Sequence, residues 1–427
     1  KIVFPHFSNG PSTKLLGSII WEMMSNEASA TQTNEKALLS YVTIAVTEAE
    51  KRNTSALNFR EFYTVYLIET KVIDGQLPVE LDKKCLLWRR YSEFEQLKCY
   101  LEAQYPNIVV PPLPEKRTTY AWQKLATDTF DPNFIDRRRI GLENFILRVA
   151  AHHELSFDLY FLGFLQQNDG WTVSVTTALS ACWKKSPTFL ESLSAAFYLK
   201  VPDPKFEKVK NYSNELQSDL ANILRIRASL VDHLYAVHKL HVNYGRIFSE
   251  WSAIEKTLGD SLQSCGHFMD GYATWIDSVL EDEETCIDQL KEYLFYTESL
   301  RTVCRNQEIL QYSYEKANAS LQEKSLELEK LQEGKYTSLM SKLLDSDKDK
   351  EYRMELLTEQ IKDTENEIKY WISQNRIFKL KGLEDIERFH QQKAKDLRET
   401  LINYIIIQIN ICKKGINTWT NFRDSFA

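Results

Sequence analysis

Three short cationic segments hold the residues of this chain whose types and spacing could do chemistry. The first contains Arg89, Arg90 and Tyr91, the second is proline-rich and ends at Lys116, and the third is the run Arg137–Arg139. An Arg guanidinium binds phosphate oxygens in pairs, and a neighbouring Tyr ring can lie flat on a small ligand ring. We therefore predict a polyanion site that suits several phosphates around one ring, as in a phosphoinositide headgroup.

The residues before the first cationic segment predict a small antiparallel sheet. Residues 41–46 and 62–69 are rich in aromatic and β-branched residues with alternation, and residues 85–90 read as a third short strand. We expect the third strand to end at Arg90.

A helix and an extended loop are predicted next. Ser92 and Glu95 have the spacing of a capping box, which predicts that a helix starts right after Tyr91. The prolines between residues 106 and 116 exclude a helix interior there and predict an extended loop that holds Lys116 at its end.

A second helix is predicted at the Arg run. Its expected apolar face comprises Ile140, Phe145, Ile146 and Val149. Cations are unfavourable in the first turn of a helix because the macrodipole prefers anions. If Arg137–Arg139 lie near the helix start, an external anion is expected to hold them.

The order of these motifs resembles the phox-homology (PX) domain. An Arg pair or an Arg run alone is common in solvated helix ends, so the order and the spacing carry the resemblance. It implies a phosphoinositide site with four ligand contacts: Arg90 on the 3-phosphate, Tyr91 on the inositol ring, Lys116 on the 1-phosphate and Arg138 on the ring hydroxyls.

Arg138 is chosen within the run by register. In the family pattern a Leu and an aromatic residue follow the binding Arg at four and seven positions, which Leu142 and Phe145 satisfy. Arg139 is the alternative. We expect this first domain to end near Asp169.

Composition limits the classes of protein that are possible. With 427 residues, 43% hydrophobic and 26% charged, the chain can bury sizeable cores in two or more domains. Its net charge of −7 predicts no bulk attraction to acidic lipid or nucleic acid, so membrane binding must come from local patches. The apolar run at 15–24 is too short to span a bilayer.

The spacing of the cysteines and a search for catalytic motifs exclude several kinds of site. The seven Cys show no metal or disulfide spacing, which predicts a reducing cytosolic compartment. His238 and His241 share a helical face, yet no acidic or Cys partner completes a metal site. No nucleophile elbow, P-loop or kinase motif is found, so we expect a non-enzymatic protein without cofactor or metal.

The second half predicts long helices, because residues 205–427 contain no proline. A seven-residue repeat forms one row of Leu216, Ile223, Leu230, Val237, Tyr244, Trp251 and Leu258, with Leu220, Leu234 and Phe248 in a companion row. This pattern predicts a coiled-coil seam. We expect helices over about 205–257, from there to beyond 328, and over 351–422, with a turn at 334–350.

Some residues of these helices depart from the heptad pattern and indicate how the chain assembles with a partner. Residues 401–411 are apolar almost all round, which predicts a symmetric dimer interface. Arg227 and His241 stand in the companion row, where they either fix register and partner or are a snorkelling Arg and a satisfied core His. The acidic run Glu281–Glu284 is expected to face solvent.

Two segments leave alternatives open. Two amphipathic runs at 171–203 either insert in a membrane or pack between domains. Their apolar residues are Trp171, Val175, Ala178 and Cys182 in the first run and Leu190, Leu193 and Phe197 in the second. At the predicted tip, cations alternate with acidic residues, which suits either contact with an anionic membrane or a solvated turn. These cations are Lys335, Lys342, Lys348, Lys350 and Arg353.

A PX domain followed by three long helices resembles the PX-BAR sorting nexins, and several segments resemble one branch of them. The resemblance covers 37–427 and implies an α+β PX domain at 37–170, a linker at 171–203 and an all-α elongated BAR domain at 204–427. Residues 1–36 do not conform, and we expect a fragment or an unusual amino end.

The same resemblance implies a function. The chain is expected to be a peripheral adaptor on the cytosolic face of early endosomes that binds phosphatidylinositol 3-phosphate and dimerises with itself or a related nexin. It is expected to form or sense tubules in sorting, recycling and autophagy-linked traffic. Its expected further partners are transport cargo or motor adaptors, and no nucleic acid. Two alternatives remain: a lipid-anchored coiled-coil scaffold without curvature activity, and a cytosolic structural coiled coil whose PX site is degenerate.

Overall fold

The computed structural model describes residues 36–56, 59–73, 77–116, 132–185, 199, 202–333 and 347–426. A three-stranded antiparallel sheet in the order β1-β2-β3 opens the fold. Its strands are β1 (Val42–Ala56), β2 (Phe59–Val72) and β3 (Lys84–Arg90). The predicted sheet is confirmed, and β1 and β2 pair as a hairpin that runs well beyond β3 because Arg90 lies opposite Val65.

The α+β prediction is confirmed, because the sheet is accompanied by four helices, of which the first three pack against it and the fourth packs on the first and third. They are α1 (Tyr91–Gln104), α2 (Pro132–Ala151), α3 (Leu159–Gln166) and α4 (Trp171–Lys185). Their apolar side chains form one core with the sheet, in which the Phe164 ring contacts both Phe94 and Trp171 edge to face.

The start of α1 differs from the prediction. The helix begins at Tyr91, and the carboxylate of Glu93 accepts the backbone N–H of Arg90 at 2.8 Å. The predicted capping box of Ser92 and Glu95 is therefore wrong. Glu93 satisfies one of the amide groups that a helix start leaves without an intrahelical partner.

The position of the Arg run also differs. Residues 137–139 lie in the second turn of α2, which begins at Pro132, so the macrodipole argument for an external anion fails. Ile140, predicted on the apolar face, is 44% exposed. Leu142 takes its place beside Phe145, Ile146 and Val149, all of which are buried.

Three long helices form the second half: α5 (Pro204–Ser252), α6 (Gly259–Gln332) and α7 (Asp347–Asp424). Asp203 caps α5 by accepting the backbone N–H of Lys205 at 2.9 Å. At 1.5 Å per residue α6 and α7 each span roughly 110 Å, so the predicted elongated form is confirmed. None of the helices in the described ranges combines the length and apolarity that crossing a membrane requires.

The heptad pattern divides between two surfaces. The companion row faces α6, where Leu220 and His241 are buried. The main row points away, since Ile223, Leu230, Val237, Tyr244, Trp251 and Leu258 are exposed in the single chain. One side of α5 is thus used within the chain, and the other is available to a second chain.

The contacts of the polar residues in this region differ from the predictions. Arg227 does not snorkel, because its guanidinium contacts Glu284 at 2.7 Å. Glu283 is buried completely and Glu284 also contacts Arg137 at 2.6 Å, so the expectation that this acidic run faces solvent is wrong for both. His241 is buried, but its Nδ1 has no hydrogen-bond partner among the described residues, so it is not a satisfied core histidine.

The helix that follows the sheet domain packs against it. Trp171 and Val175 of α4 are buried in the core of that domain, and Trp171 Nε1 donates to the carbonyl of Tyr160 at 2.8 Å. This favours packing over membrane insertion for α4. Leu190, Leu193 and Phe197, like Lys335 and Lys342 of the tip, lie outside the described residues, and Arg353 contacts Glu327 at 2.7 Å.

Candidate functional site

The two arginines at the end of β3 have different roles. Arg89 is buried, and its guanidinium donates to the carbonyls of Phe164 and Gln167 at the end of α3, at 2.9 and 2.6 Å. It also contacts Glu93 at 3.1 Å. Arg89 therefore ties α3 to the sheet, and Arg90 alone is left exposed at the surface.

Arg90 lies on the opposite face of β3, as the alternation of strand side chains requires. Its guanidinium is 3.5 Å from the ring centre of Tyr63 on β2. A cation held over an aromatic face keeps its charge and its donors while its position is restricted. Sequence analysis missed Tyr63, because only the strand register brings it beside Arg90.

Tyr91 is the centre around which other site residues gather. Its hydroxyl donates to the carbonyl of Pro114 at 2.6 Å, which fastens the proline-rich loop to the start of α1. Arg138 Cζ and Lys116 Nζ lie 5.0 and 5.9 Å from its ring centre. Burial raises the pKa of Tyr91, so the phenol stays neutral and serves as a hydrogen-bond donor and a ring surface.

Arg138 and Arg139 point to different parts of the domain. Arg138 is buried, its guanidinium donates to the carbonyl of Lys116, and it lies 4.3 Å from the ring centre of Phe134. Arg139 donates to the carbonyl of Val46 on β1 at 2.6 Å. The structure thus brings Arg138, the choice made by register, to Tyr91 and Lys116, while Arg139 holds β1 to α2.

Lys116 carries a contact that the sequence did not predict. Its ammonium is 2.8 Å from the carboxylate of Glu95, and the Lys116 side chain is 65% exposed. Glu95 lies one helical turn after Tyr91, so this spacing could have identified it as a neighbour of the site. An anion that binds Lys116 must compete with Glu95.

The arrangement has donors and aromatic rings that suit a polyanion. Arg90 precedes Tyr91 directly, and Lys116 and Arg138 come to the Tyr91 ring from two other elements. Guanidinium forks and an ammonium supply charge-assisted donors, and aromatic rings restrict their positions. Within the described ranges, no group of His, Cys, Asp or Glu could hold a metal ion.

Comparison with known proteins agrees with these observations. Residues 78–168 match the PX domain family. The chain is 48% identical to sorting nexin-4 of Bos taurus and of Homo sapiens over 408 residues, which are 93% of this chain and 89% of each relative. It belongs to the PX-BAR sorting nexins. The predicted family is confirmed, and the branch that its segments resemble is sorting nexin-4.

More distant relatives agree with the assignment of this chain to the sorting nexins. It is 28% identical to sorting nexin-30 of Xenopus tropicalis over 61% of this chain and 57% of that protein. Its fold matches the structure described as "The cryo-EM structure of the SNX-BAR Mvp1 tetramer" with a TM-score of 0.58 at 19% identity, covering 89% of this chain and 99% of the other. This likeness shows the PX-BAR fold.

Proposed function

We propose that this sorting nexin is a non-enzymatic adaptor that binds phosphatidylinositol 3-phosphate on the cytosolic face of early endosomes. Arg90 contacts the 3-phosphate, Tyr91 the inositol ring, Lys116 the 1-phosphate and Arg138 the ring hydroxyls. The observation that carries the proposal is the convergence of Lys116 and Arg138 on the Tyr91 ring, directly after Arg90.

A second part of the proposal is assembly into a dimer through the three long helices. Support comes from apolar side chains that a single chain leaves exposed on α5 and on α7. On α7 they are Leu401, Ile402, Ile405, Ile406 and Ile409. Water contact with so many large apolar groups is unfavourable, and a second copy or a related nexin would cover them.

A third part is the biological role, which rests on the sorting nexin-4 relatives. We propose that the dimer senses or forms curved tubules during endosomal sorting, recycling and autophagy-linked traffic. Headgroup binding places the protein on the membrane, and the elongated helical domain supplies a surface that is long compared with the lipid site.

Sedimentation with liposomes tests the lipid part. Purified chain is mixed with liposomes that carry each phosphoinositide in turn, and Arg90→Ala is compared with Arg305→Ala. Arg305 is an exposed α6 residue whose charge lies outside the site. We expect selective binding to the 3-phosphate lipid that Arg90→Ala abolishes and Arg305→Ala keeps.

The other outcomes distinguish the alternatives. Binding that Arg90→Ala leaves intact removes Arg90 from the site. Absence of binding to every phosphoinositide favours a structural coiled coil with a degenerate site. Binding without any change in vesicle shape by electron microscopy favours a lipid-anchored scaffold without curvature activity.

A further inference from the structure

The loop that carries Lys116 is anchored at its other end to the long helices. The carbonyl of Pro106 accepts a hydrogen bond from the side-chain amide of Asn306 on α6 at 2.9 Å. The backbone N–H of Val109 donates to the carboxylate of Asp385 on α7 at 2.7 Å. The side chain of Val109 is buried in the core of the helical domain, together with Phe206.

Asp385 is the centre of the second anchor and is buried. One carboxylate oxygen accepts from Val109, and the other is 2.8 Å from His152 Nε2 and 2.7 Å from Arg388 Nε. Burial would raise the pKa of Asp385, but the hydrogen bond from His152 and the charge of Arg388 outweigh this effect and lower the pKa to about 2. The carboxylate is therefore ionised and has several donors.

His152 connects this anchor to α2, the helix of Arg138. Its Nδ1 accepts the backbone N–H groups of Glu154 and Leu155 at 3.1 and 3.2 Å. Nδ1 is an acceptor, so the ring proton is on Nε2, which donates to Asp385. Burial lowers the pKa of His152, in keeping with a neutral ring.

The segment between the anchor and the site is stiff. Prolines at 111, 112 and 114 fix φ at three of the five positions from 110 to 114. Beyond them, the carbonyl of Pro114 accepts from Tyr91 and that of Lys116 from Arg138. A Cβ on Gly141 would lie 2.7 Å from the Pro114 side chain, so the loop also packs closely on α2.

We infer that Asp385 and Asn306 are positioning residues for the lipid site. They hold the 106–116 loop from the helical side. The loop in turn keeps Lys116, and the Lys116 carbonyl that accepts from Arg138, in place beside Tyr91. This inference rests on the proposed headgroup site. Neither residue contacts the ligand, and both act through the loop. The helical domain thereby sets the affinity of a site that lies entirely in the PX domain.

Calorimetric titration of the full chain with soluble dibutanoyl phosphatidylinositol 3-phosphate tests the inference, because a soluble ligand removes membrane avidity. The variants are Asp385→Asn and Asn306→Ala, with Glu384→Gln as a matched control that removes an exposed charge from the same helix. We expect each anchor variant to weaken binding by about fivefold or more, which is about 1 kcal/mol. The control binds like wild type.

Hydrogen exchange of the unliganded proteins provides the second readout. Faster exchange within 106–116 in the anchor variants, at unchanged helix content by circular dichroism, supports action through the loop. If Asp385→Asn does not fold, Asn306→Ala decides alone, since it removes one hydrogen bond from a half-buried residue.

Two failures are distinguishable. If wild type binds and the folded anchor variants bind within about twofold of it, the positioning role is overturned and the proposed function stands. If wild type binds no more tightly than Arg90→Ala, the proposed headgroup site fails, and this inference fails with it.

Discussion

Val109 and Val110 are neighbours in the chain, yet their side chains lie in two different hydrophobic cores. Each is 1% exposed, Val110 in the core of the PX domain and Val109 in that of the helical domain. The two side chains are buried in different cores, so this one dipeptide joins the two domains. The proline-rich segment that carries Lys116 is therefore also a structural connection between the domains.

Substitution of Arg138 and of Arg139 on α2 is expected to separate ligand contact from stability. Arg138→Ala removes a guanidinium beside the Tyr91 ring and is expected to weaken phosphoinositide binding by roughly 10- to 100-fold, the equivalent of about one charge-assisted hydrogen bond. Arg139→Ala removes the contact with Val46 and is expected to lower the unfolding temperature while binding stays within about twofold. Titration calorimetry and thermal unfolding measure the two effects, and the reverse pattern would make Arg139 the ligand residue.

Glu95→Gln is expected to strengthen lipid binding. The carboxylate of Glu95 forms an ion pair with the ammonium of Lys116 at 2.8 Å, and an incoming phosphate must displace this carboxylate. Because the Lys116 side chain is 65% exposed and that of Glu95 is 35% exposed, solvent screens the pair and the gain is limited to about 1 kcal/mol, or about fivefold in affinity. Titration with soluble headgroup measures it, with Glu384→Gln as the charge-matched control. Weaker binding in Glu95→Gln would show that Glu95 orients Lys116 for the ligand.

The register argument on α2 agrees with the structure, whereas the capping-box argument on α1 does not. Leu142 and Phe145 are buried, which agrees with the register that selected Arg138, although its contact with lipid stays a prediction. The Ser92 capping box failed because Glu93 satisfies the same helix start by pairing with the Arg90 amide. Local spacing allows both solutions, and tertiary contacts choose between them.

Long-range pairing was beyond sequence analysis. The heptads predicted long helices, which are confirmed, and a seam made by both rows, of which the companion row packs within the chain. They did not indicate that the companion row faces α6 while the main row stays exposed. Nor does any pattern relate His152 to Asp385, because these residues are far apart in the chain and meet only when the two domains pack.

His241 is expected to make stability depend on pH. Burial and the nearby His238 lower its pKa, and Nδ1 lacks a hydrogen-bond partner among the described residues. The unfolded chain therefore takes up a proton first, and stability falls as pH drops below about 6.5. His241→Phe, which keeps the ring contact with Tyr272, should be about 1 kcal/mol more stable and lose less stability from pH 7.5 to 5.5.

Thermal unfolding across that pH range checks this expectation. His233→Phe serves as the control, because His233 is exposed on the same helix. An equal loss of stability in wild type and His241→Phe would assign the acid sensitivity to other groups.

Ile405→Glu is expected to dissociate the proposed dimer. Ile405 is 54% exposed within the single chain, so the charge costs the monomer little, but burial of an unpaired carboxylate between two chains is strongly unfavourable. Light scattering should show the mass fall from two chains to one. Ile372→Glu changes an equally exposed residue of α7 outside this segment and should leave the mass unchanged. A wild-type chain that is already monomeric would contradict the assembly.

Arg148 on α2 is expected to hold the PX domain to the long helices. Its guanidinium contacts Glu292 on α6 and lies 2.7 Å from Asp396 on α7, and all three side chains are largely buried. Arg148→Met leaves two buried carboxylates without their cation, which costs about 3–5 kcal/mol.

Neutralising the two unpaired carboxylates should restore most of the stability that Arg148→Met loses. The triple variant Arg148→Met, Glu292→Gln, Asp396→Asn is expected to recover a large part of the wild-type unfolding temperature, because neutral groups avoid the desolvation cost of unpaired ions. Differential scanning calorimetry of both variants, with exposed Arg305→Met as control, measures the effect. If the triple variant is no more stable than Arg148→Met alone, the guanidinium stabilises the junction by packing on Tyr293 and Tyr296 instead of by its charge.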